Sequence, residues 1–261
     1  MTVFITGASA GIGYALTLHY LKHGYSVAAI ARREAKLQAL YQEPQCRYGH
    51  LKIYAADVTQ KQIMADVVAT VEKDLGPIEL AIANAGITAQ NLEAKLDLEQ
   101  VEQLMQTNVI GVANTLAPVI DAMLLRGRGQ IVGISSMAAL HALPRISAYC
   151  ASKVAVNYLL EGLYRDLKPH GIHVTTICPS FVDTDMTVKE QVPNHLCMQR
   201  EVAIAKIVRA IGQRRRFYCF PYWSYHFLNI LSILPNVVQG SVLNYVAERW
   251  FPRPIVMDST L

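Results

Sequence analysis

The sequence predicts an α/β protein whose parallel sheet is doubly wound and covered by helices on both faces. Six short apolar runs of strand length alternate with longer segments in which apolar residues recur with a helical period, as at 60–75 and 98–125. The apolar runs are residues 3–6, 26–31, 51–55, 78–83, 130–135 and 173–178. Because right-handed crossovers between parallel strands place helices on both faces of a sheet, this alternation indicates a Rossmann-like, three-layer α/β/α domain.

The composition is that of a folded protein with a large apolar core. Of 261 residues, 52% are hydrophobic and 17% are charged. The net charge of +4 is scattered along the chain, apart from three consecutive arginines at 214–216. This balance gives no indication of a nucleic-acid partner.

The cysteines and the N-terminus indicate a reducing compartment. Five cysteines, at 46, 150, 178, 197 and 219, are odd in number and lack CxxC or Cys/His metal spacing. The chain enters an apolar segment directly after Met1, without the basic region and cleavage site of a secretory signal. We therefore expect free thiols, no metal site and a cytoplasmic protein.

A glycine-rich turn follows the first predicted strand and precedes a helical segment. It comprises Thr6, Gly7, Ala8, Ser9, Ala10, Gly11, Ile12 and Gly13. Glycines let a backbone approach a pyrophosphate closely, and the free N–H groups of a helix N-terminus bind it. The alternative is a turn that only packs helix against strand, but the strand-loop-helix context favours a dinucleotide site.

The end of the second strand bears on the choice of nucleotide. It carries Arg32 and Arg33, with no carboxylate before Glu34. An acidic residue at this position binds the ribose 2′-hydroxyl of NAD, whereas basic residues neutralise the 2′-phosphate of NADP. The alternative is that both arginines only solvate the start of the next helix, where the helix dipole disfavours them. We therefore predict NADPH or NADP⁺ as the cofactor.

Four motifs occur in an order and spacing that resemble the classical short-chain dehydrogenase/reductase family. They are the glycine-rich turn, Asn84-Ala85-Gly86, Ser135-Ser136 and Tyr149-Cys150-Ala151-Ser152-Lys153. The resemblance covers residues 2 to about 185.

The resemblance implies further cofactor contacts, namely Asp57, Val58, Asn84, Ala85, Gly86, Pro179, Val182 and Thr184. Asp57 and Val58 are implied to flank the adenine, Asn84 to stabilise the central strands, and the last three to contact the nicotinamide. Asp57 has an alternative role as a helix N-cap with Thr59. Ser180 stands where the family has glycine, so we expect a changed loop geometry there.

Tyr149 and Lys153 lie four residues apart on a helix predicted over 147–167, so they share a face. Reduction of a carbonyl places negative charge on its oxygen, which a positioned proton donor must quench. A neighbouring ammonium favours the phenolate and makes the tyrosine proton easier to give. We predict that Tyr149 is the general acid and that Lys153 assists it.

The family pattern implies two further catalytic residues. Ser136, chosen over Ser135 by its spacing from Tyr149, is implied to hold the substrate oxygen. Asn108 is implied to keep a water in a proton relay to Lys153, which also binds the nicotinamide ribose. Each residue alone is common in structural roles, but the four together favour catalysis.

These residues predict an NADPH-dependent reductase of a ketone or 3-oxo group. An NAD(P)-linked alcohol dehydrogenase working in the oxidative direction is an alternative. A catalytically idle NADP-binding scaffold or sensor is another, because this fold supports several functions.

The substrate side has fewer signals. We predict a covering loop over about 186–198, without a charge cluster, and a second wall over 137–146 that includes His141 and Leu143. A lone loop histidine is more often incidental than functional. The sequence therefore predicts a small, apolar, uncharged carbonyl or alcohol substrate.

The last segment is rich in aromatic residues and departs from the alternation. We divide the chain into a catalytic domain over 1–213 and an apolar helical extension over 214–261. Two helices are predicted at 225–234 and 237–250, separated by Pro235 and each too short to span a bilayer. Three interpretations remain: packing on the domain or a dimer partner, a lid over a lipophilic substrate, or a membrane anchor helped by the arginines at 214–216. The resemblance also implies a homodimer or homotetramer through the helices that bear Asn108 and Tyr149.

Overall fold

The computed structural model describes residues 1–91 and 96–250, and for 246–250 it describes the backbone alone. The strands are β1 (Thr2–Thr6), β2 (Ser26–Ala31), β3 (His50–Ala55), β4 (Ile78–Ala83), β5 (Gly129–Ile134), β6 (Ile172–Pro179) and β7 (Phe217–Phe220). They form one parallel sheet in the order β3-β2-β1-β4-β5-β6-β7. The predicted α/β fold class is confirmed.

Helices cover both faces of this sheet. They are α1 (Gly11–Lys22), α2 (Glu34–Gln38), α3 (Lys61–Leu75), α4 (Leu98–Met105), α5 (Gly111–Arg126), α6 (Ser147–Leu167), α7 (Asp185–Lys189), α8 (Arg200–Gly212), α9 (Tyr222–Leu231) and α10 (Asn236–Trp250). Single turns of 3₁₀-helix lie at Ala39–Gln42, Pro44–Arg47, Met137–Ala139, Lys168–His170 and Asn194–Leu196.

Alternate side chains of β1 enter two separate cores. Val3 and Ile5 pack with Leu16 of α1 in the cluster that also holds the buried face of α8. Phe4 packs on the other side with Val119 of α5, in the cluster that includes α3 and α6. Successive strand residues point to opposite faces, so a strand that is apolar throughout is explained by burial on both sides.

The long helical stretch predicted over 98–125 is interrupted. Between α4 and α5 the backbone forms one π-helical segment, Gln106–Ile110, which holds Asn108. The whole stretch Leu98–Arg126 has a mean hydropathy of 1.5, which is enough by length and composition for a membrane span. However, buried residues of this stretch, among them Leu116, belong to the core cluster on the sheet. Single π-helical turns occur frequently at functional sites.

The tail begins with a strand that the sequence analysis did not predict. Phe217–Phe220 pairs with β6, with Cys219 opposite Cys178, and extends the sheet by its seventh strand. The segment after residue 214 is therefore built into the sheet before it becomes helical. Helix α9 begins and ends three residues before the predicted 225–234, whereas α10 agrees closely with 237–250. Residues 251–261 of the predicted extension lie outside the described residues.

The three arginines precede β7 at the amino end of that strand, whereas α9 follows its carboxyl end. Arg214 Nη1 lies 2.9 Å from His173 Nε2, and Arg216 pairs with Glu161. Arg215 lies over the ring of Tyr218. This placement separates the arginines from the tail helices, which argues against their assisting a lipid contact made by those helices.

Candidate active site

A single cavity of about 1060 Å³ runs along the carboxyl ends of the strands. Its lining includes the glycine-rich turn after β1, the end of β2, the loops after β4, β5 and β6, and helix α9. The strand order reverses between β1 and β4, which is where ligands of doubly wound sheets bind. The cavity therefore has the expected place for both a nucleotide and a substrate.

The glycine-rich turn is shaped for close approach to a phosphate. Gly7 and Gly11 have φ angles of +71° and +56°, in the left-handed region that favours glycine. A Cβ at Gly13 would lie 2.5 Å from Asn84 Nδ2 and closer still to the Gly7 carbonyl oxygen. The N-cap of α1, Ala10, has no side chain that could cap the first-turn N–H groups. These features fit the pyrophosphate of a dinucleotide.

Asn84 holds two strand ends together beside this turn. Its Nδ2 donates to the Thr6 carbonyl oxygen at 2.9 Å, and its backbone N–H donates to Thr6 Oγ1 at 3.1 Å. The N–H of Ala85 donates to the same hydroxyl at 3.2 Å. This agrees with the stabilising role that the family resemblance implies for Asn84.

Cationic side chains surround the end of β2. Arg33 Nη2 donates to Ser9 Oγ at 2.9 Å, and Arg32 Nη1 lies 3.6 Å from Asp57 Oδ2. Asp57 Oδ1 accepts from both the N–H and the hydroxyl of Thr59 at 2.9 Å. All these residues except Thr59 line the cavity, and the neighbouring Val58 does so too. The N-cap of α3 is Gln60, so the alternative role of Asp57 as the helix N-cap is wrong.

Tyr149 and Ser136 meet at the centre of the cavity. A hydrogen bond from Ser136 lowers the pKa of Tyr149, but burial has the larger effect and raises that pKa to about 12. Lys153 Nζ lies 5.8 Å from the centroid of the Tyr149 ring and donates to the Ile134 carbonyl oxygen at 3.1 Å. Burial lowers the pKa of Lys153 to about 8. Burial is therefore the largest influence on the Tyr149 pKa in this arrangement, and the assistance from Lys153 stays a prediction.

Asn108 is fully buried and anchored by three hydrogen bonds. Its Nδ2 donates to the Ile87 carbonyl oxygen at 2.9 Å and to Ser152 Oγ at 3.0 Å, and its Oδ1 accepts from the Ile87 N–H at 2.8 Å. A Cβ at Gly86 would come 3.2 Å from Asn108 Oδ1 and 3.4 Å from Lys153 Nζ. Gly86 thus leaves the lysine and the asparagine facing a common gap. The water relay itself stays a prediction.

Ser135 has a different place from Ser136. Its hydroxyl donates to the backbone oxygen of Lys153 at 3.3 Å, and its own N–H donates to the Ile177 carbonyl oxygen at 2.7 Å. It therefore ties β5 to α6 and β6, while Ser136 contacts Tyr149.

The segment after β6 lies against the glycine-rich turn. Pro179, Val182 and Thr184 line the cavity, and a Cβ at Gly11 would be 3.3 Å from Thr184 Cγ2. Among the described non-glycine residues, only Arg145, Gln191 and Arg214 have positive φ angles.

The changed loop geometry expected at Ser180 stays a prediction. Its backbone lies outside the left-handed region, so no glycine is needed there. Its N–H donates to the Phe220 carbonyl oxygen at 2.9 Å, which joins the loop to β7.

Several cavity residues were not predicted. The tail contributes Trp223, Ser224, Phe227, Leu228 and Leu243, and the loops contribute Thr88 and Glu190. His141 Nε2 lies 2.8 Å from the Leu228 carbonyl oxygen. The predicted second wall over 137–146 therefore contacts α9, which also lines the cavity. No local pattern marks the tail residues as a pocket wall. Glu190 could have been noticed as the single acidic residue in 186–198.

The fold and the site define a class of enzyme, the oxidoreductases that bind a nicotinamide nucleotide on a doubly wound sheet. The chain belongs to the classical short-chain dehydrogenase/reductase family: the family model described as short chain dehydrogenase matches residues 1–194.

Individual relatives agree with this assignment. The chain is 32% identical over 235 residues to an uncharacterized oxidoreductase of Myxococcus xanthus, covering 90% of this chain and 93% of that one. It is 33% identical over 186 residues to an NADPH-dependent pterin aldehyde reductase of Arabidopsis thaliana, covering 71% and 76%. A solved short-chain type dehydrogenase/reductase from Mycobacterium marinum is similar with a TM-score of 0.75 and 27% identity, covering 84% of this chain and 92% of that one.

Proposed function

We propose that this protein uses NADPH to reduce a ketone or 3-oxo group on a lipophilic substrate, with Tyr149 as general acid. The observation that carries the proposal is the hydrogen-bonded pair of Ser136 and Tyr149, with Lys153 beside the ring, inside one cavity. One end of that cavity is the glycine-rich turn and the other is the apolar wall of α9. The site thus joins a nucleotide cradle to an apolar substrate space.

Ser136 and Tyr149 have different roles in the reduction. When bound, the nicotinamide supplies a hydride to the carbonyl carbon. The Ser136 hydroxyl hydrogen-bonds to the substrate oxygen, on which negative charge develops, and Tyr149 gives that oxygen its proton. An alkoxide is a base comparable to hydroxide, since water has a pKa of about 15.7. Proton transfer from Tyr149, whose pKa is raised to about 12, is therefore favourable.

Lys153 stabilises the tyrosinate that remains. Its pKa of about 8 leaves most of the ammonium protonated at neutral pH, so a positive charge is available beside the ring. The raised pKa of Tyr149 keeps its hydroxyl protonated at neutral pH, which is the form that donates a proton in the reduction. The complete set of four residues argues against an idle scaffold. Consumption of NADPH with a panel of ketones and 3-oxoacyl thioesters tests the proposal. If the protein binds NADPH but consumes none of it with any compound of the panel, the scaffold function is favoured.

The preference for NADPH rests on the two arginines at the end of β2. We expect Arg32→Asp to reduce the ratio of kcat/KM for NADPH over NADH by about tenfold or more, because it removes a cation from a 2′-phosphate and adds an acceptor for a 2′-hydroxyl. The same change at Arg128, which is exposed before β5, is the control and should leave the ratio unchanged. An unchanged NADPH preference in Arg32→Asp would refute this part of the proposal. The NADPH-dependent reductase from Arabidopsis thaliana supports it by similarity.

The tail helices support a peripheral contact with lipid. Residues 217–247 contain no Asp, Glu, Lys or Arg. Ile230, within α9, is 63% exposed, and Ile233, just after that helix, is 83% exposed. Helix α9 also lines the cavity. Apolar and aromatic side chains of this kind insert at a membrane interface.

We expect the protein to float with phosphatidylcholine vesicles in a density gradient. The double change Ile230→Ser and Ile233→Ser should weaken the binding about tenfold or more, because each buried isoleucine contributes about 1.5–3 kcal/mol. Ile63→Ser on α3 removes a partly exposed isoleucine elsewhere and should have no effect. Absence of lipid-dependent flotation of the unaltered protein would remove the anchor and leave α9 as a wall or lid.

We also propose a homodimer or homotetramer formed through α5 and α6. Leu125 and Tyr158 on these helices are 91% and 78% exposed. Exposed side chains of this size support association through these helices if they form one contiguous patch.

A further inference from the structure

Glu190 places a carboxylate in the wall of the same cavity as Tyr149. It follows α7 directly, and its backbone N–H donates to the Met186 carbonyl oxygen at 3.0 Å. The residue is half-buried and lines the cavity together with Thr88 and Val192. A carboxylate in a largely apolar wall costs free energy unless it is used or compensated, so its presence needs a reason.

The loop after β4 holds this residue in position. Gln90 Nε2 donates to the backbone oxygen of Glu190 at 3.2 Å, and the side chains of Gln90 and Thr88 hydrogen-bond to its carboxylate. Gln191, the next residue, has a left-handed φ of +54°, which turns the chain away. The carboxylate is thus fixed by contacts from two loops.

Glu190 lines the same cavity as Tyr149 and Ser136. Its negative charge contributes to the raised pKa of Tyr149, so the two side chains lie within electrostatic range. Burial raises the pKa of Glu190 itself. Within residues 1–91 and 96–245, whose side chains the structure describes, no Lys, Arg or His forms an ion pair with it. A carboxylate has about four acceptor sites, and the neutral donors of Thr88 and Gln90 leave some of them for a ligand.

We propose that Glu190 is a specificity-determining residue that binds a protonated amine on the substrate. The substrate class is therefore an amino ketone with an apolar body, the amine on Glu190 and the carbonyl at Tyr149 and Ser136. This inference rests on the proposed reductase function and differs from the expectation of an uncharged substrate. An amine is favoured over a hydroxyl because the carboxylate already has neutral donors, and charge-assisted hydrogen bonds are about twice as strong as neutral ones.

The test uses ketones of one carbon skeleton that carry an amine, a hydroxyl, a methyl or a carboxylate at the same position. We expect the unaltered enzyme to prefer the amine over the methyl compound by about 10–100-fold in kcat/KM. Glu190→Gln keeps the shape of the side chain and should abolish that preference, so that its kcat/KM values for the amine and the methyl compound differ by less than about threefold. Glu201→Gln, an exposed change at the start of α8, is the matched control and should retain the preference.

A binding measurement separates recognition from turnover. Calorimetry with a long-chain alkylamine, which has no carbonyl, should give a dissociation constant about tenfold higher or more for Glu190→Gln than for Glu201→Gln. NADPH binding by each variant verifies that the fold is intact.

Each outcome bears on one claim. Reduction of these ketones without an amine preference, an equal preference for the hydroxyl compound, or a preference that survives in Glu190→Gln would overturn the inference and leave the reductase function standing. If no ketone is reduced but the alkylamine binds in a manner that depends on Glu190, the reductase function fails and the amine site remains.

Discussion

The Tyr149→Phe variant should reduce ketones about 10²–10⁴-fold more slowly than the unaltered enzyme, because it lacks the proton donor for the developing alkoxide. Phenylalanine preserves the ring that packs beside Ile146 and Cys150, so the site should keep its shape. The loss should appear in kcat, measured by NADPH oxidation at saturating ketone. The dissociation constant for NADPH should change little, since the glycine-rich turn and the arginines are untouched.

Tyr158→Phe provides a matched control on the same helix. Tyr158 is 78% exposed and removal of its hydroxyl should leave turnover unchanged. Near-normal turnover in Tyr149→Phe, with intact NADPH binding, would show that another group donates the proton and would end the mechanism proposed for this site.

Gly13→Ala should have the second large effect, on nucleotide binding. The new Cβ would lie 2.5 Å from Asn84 Nδ2 and closer to the Gly7 carbonyl oxygen, so the turn after β1 or the end of β4 must move. We expect NADPH affinity to fall by about 100-fold, measured by fluorescence titration, because this backbone forms the phosphate cradle. We also expect the free energy of unfolding to fall by about 1–3 kcal/mol, as is usual for overpacking a tight contact.

Gly162→Ala is the control for a glycine that packing does not require. Gly162 lies within α6, and a Cβ there would have no other side chain or distant backbone within 4 Å. Alanine should therefore stabilise the helix by up to about 1 kcal/mol and leave NADPH binding unchanged. Unaltered NADPH affinity in Gly13→Ala would contradict the assignment of this turn as the cradle.

The features that the sequence predicts well are those with a long or repeated local signal. Helix α6 matches the predicted 147–167 at both ends, because a long periodic segment defines its own face. That face brings Tyr149 and Lys153 together through the i,i+4 spacing, as predicted. The alternation of strands and helices fixes the order of the elements and therefore the edge of the sheet where the site lies.

The missed features depend on contacts between distant parts of the chain. Strand β7 has only four residues, too few for periodicity, and its pairing of Cys219 with Cys178 is a tertiary contact. Glu190 reaches its place through Gln90, on a loop from the other half of the chain. Burial around Tyr149 likewise depends on tertiary contacts, so its effect on the pKa of this tyrosine could not be predicted from the spacing to Lys153. The family pattern led us to expect a changed loop geometry at Ser180, where the local backbone does not need glycine.

The most direct measurement of the central claim is the transfer of deuterium from NADPH in which both hydrogens on the nicotinamide carbon that gives up the hydride are replaced by deuterium. After incubation with a ketone of the class above, mass spectrometry of the product alcohol should find one deuterium on the carbinol carbon. The label should appear with the unaltered enzyme and be nearly absent with Tyr149→Phe over the same time. An alcohol product without deuterium, or no alcohol from any ketone despite saturating NADPH, would contradict the account.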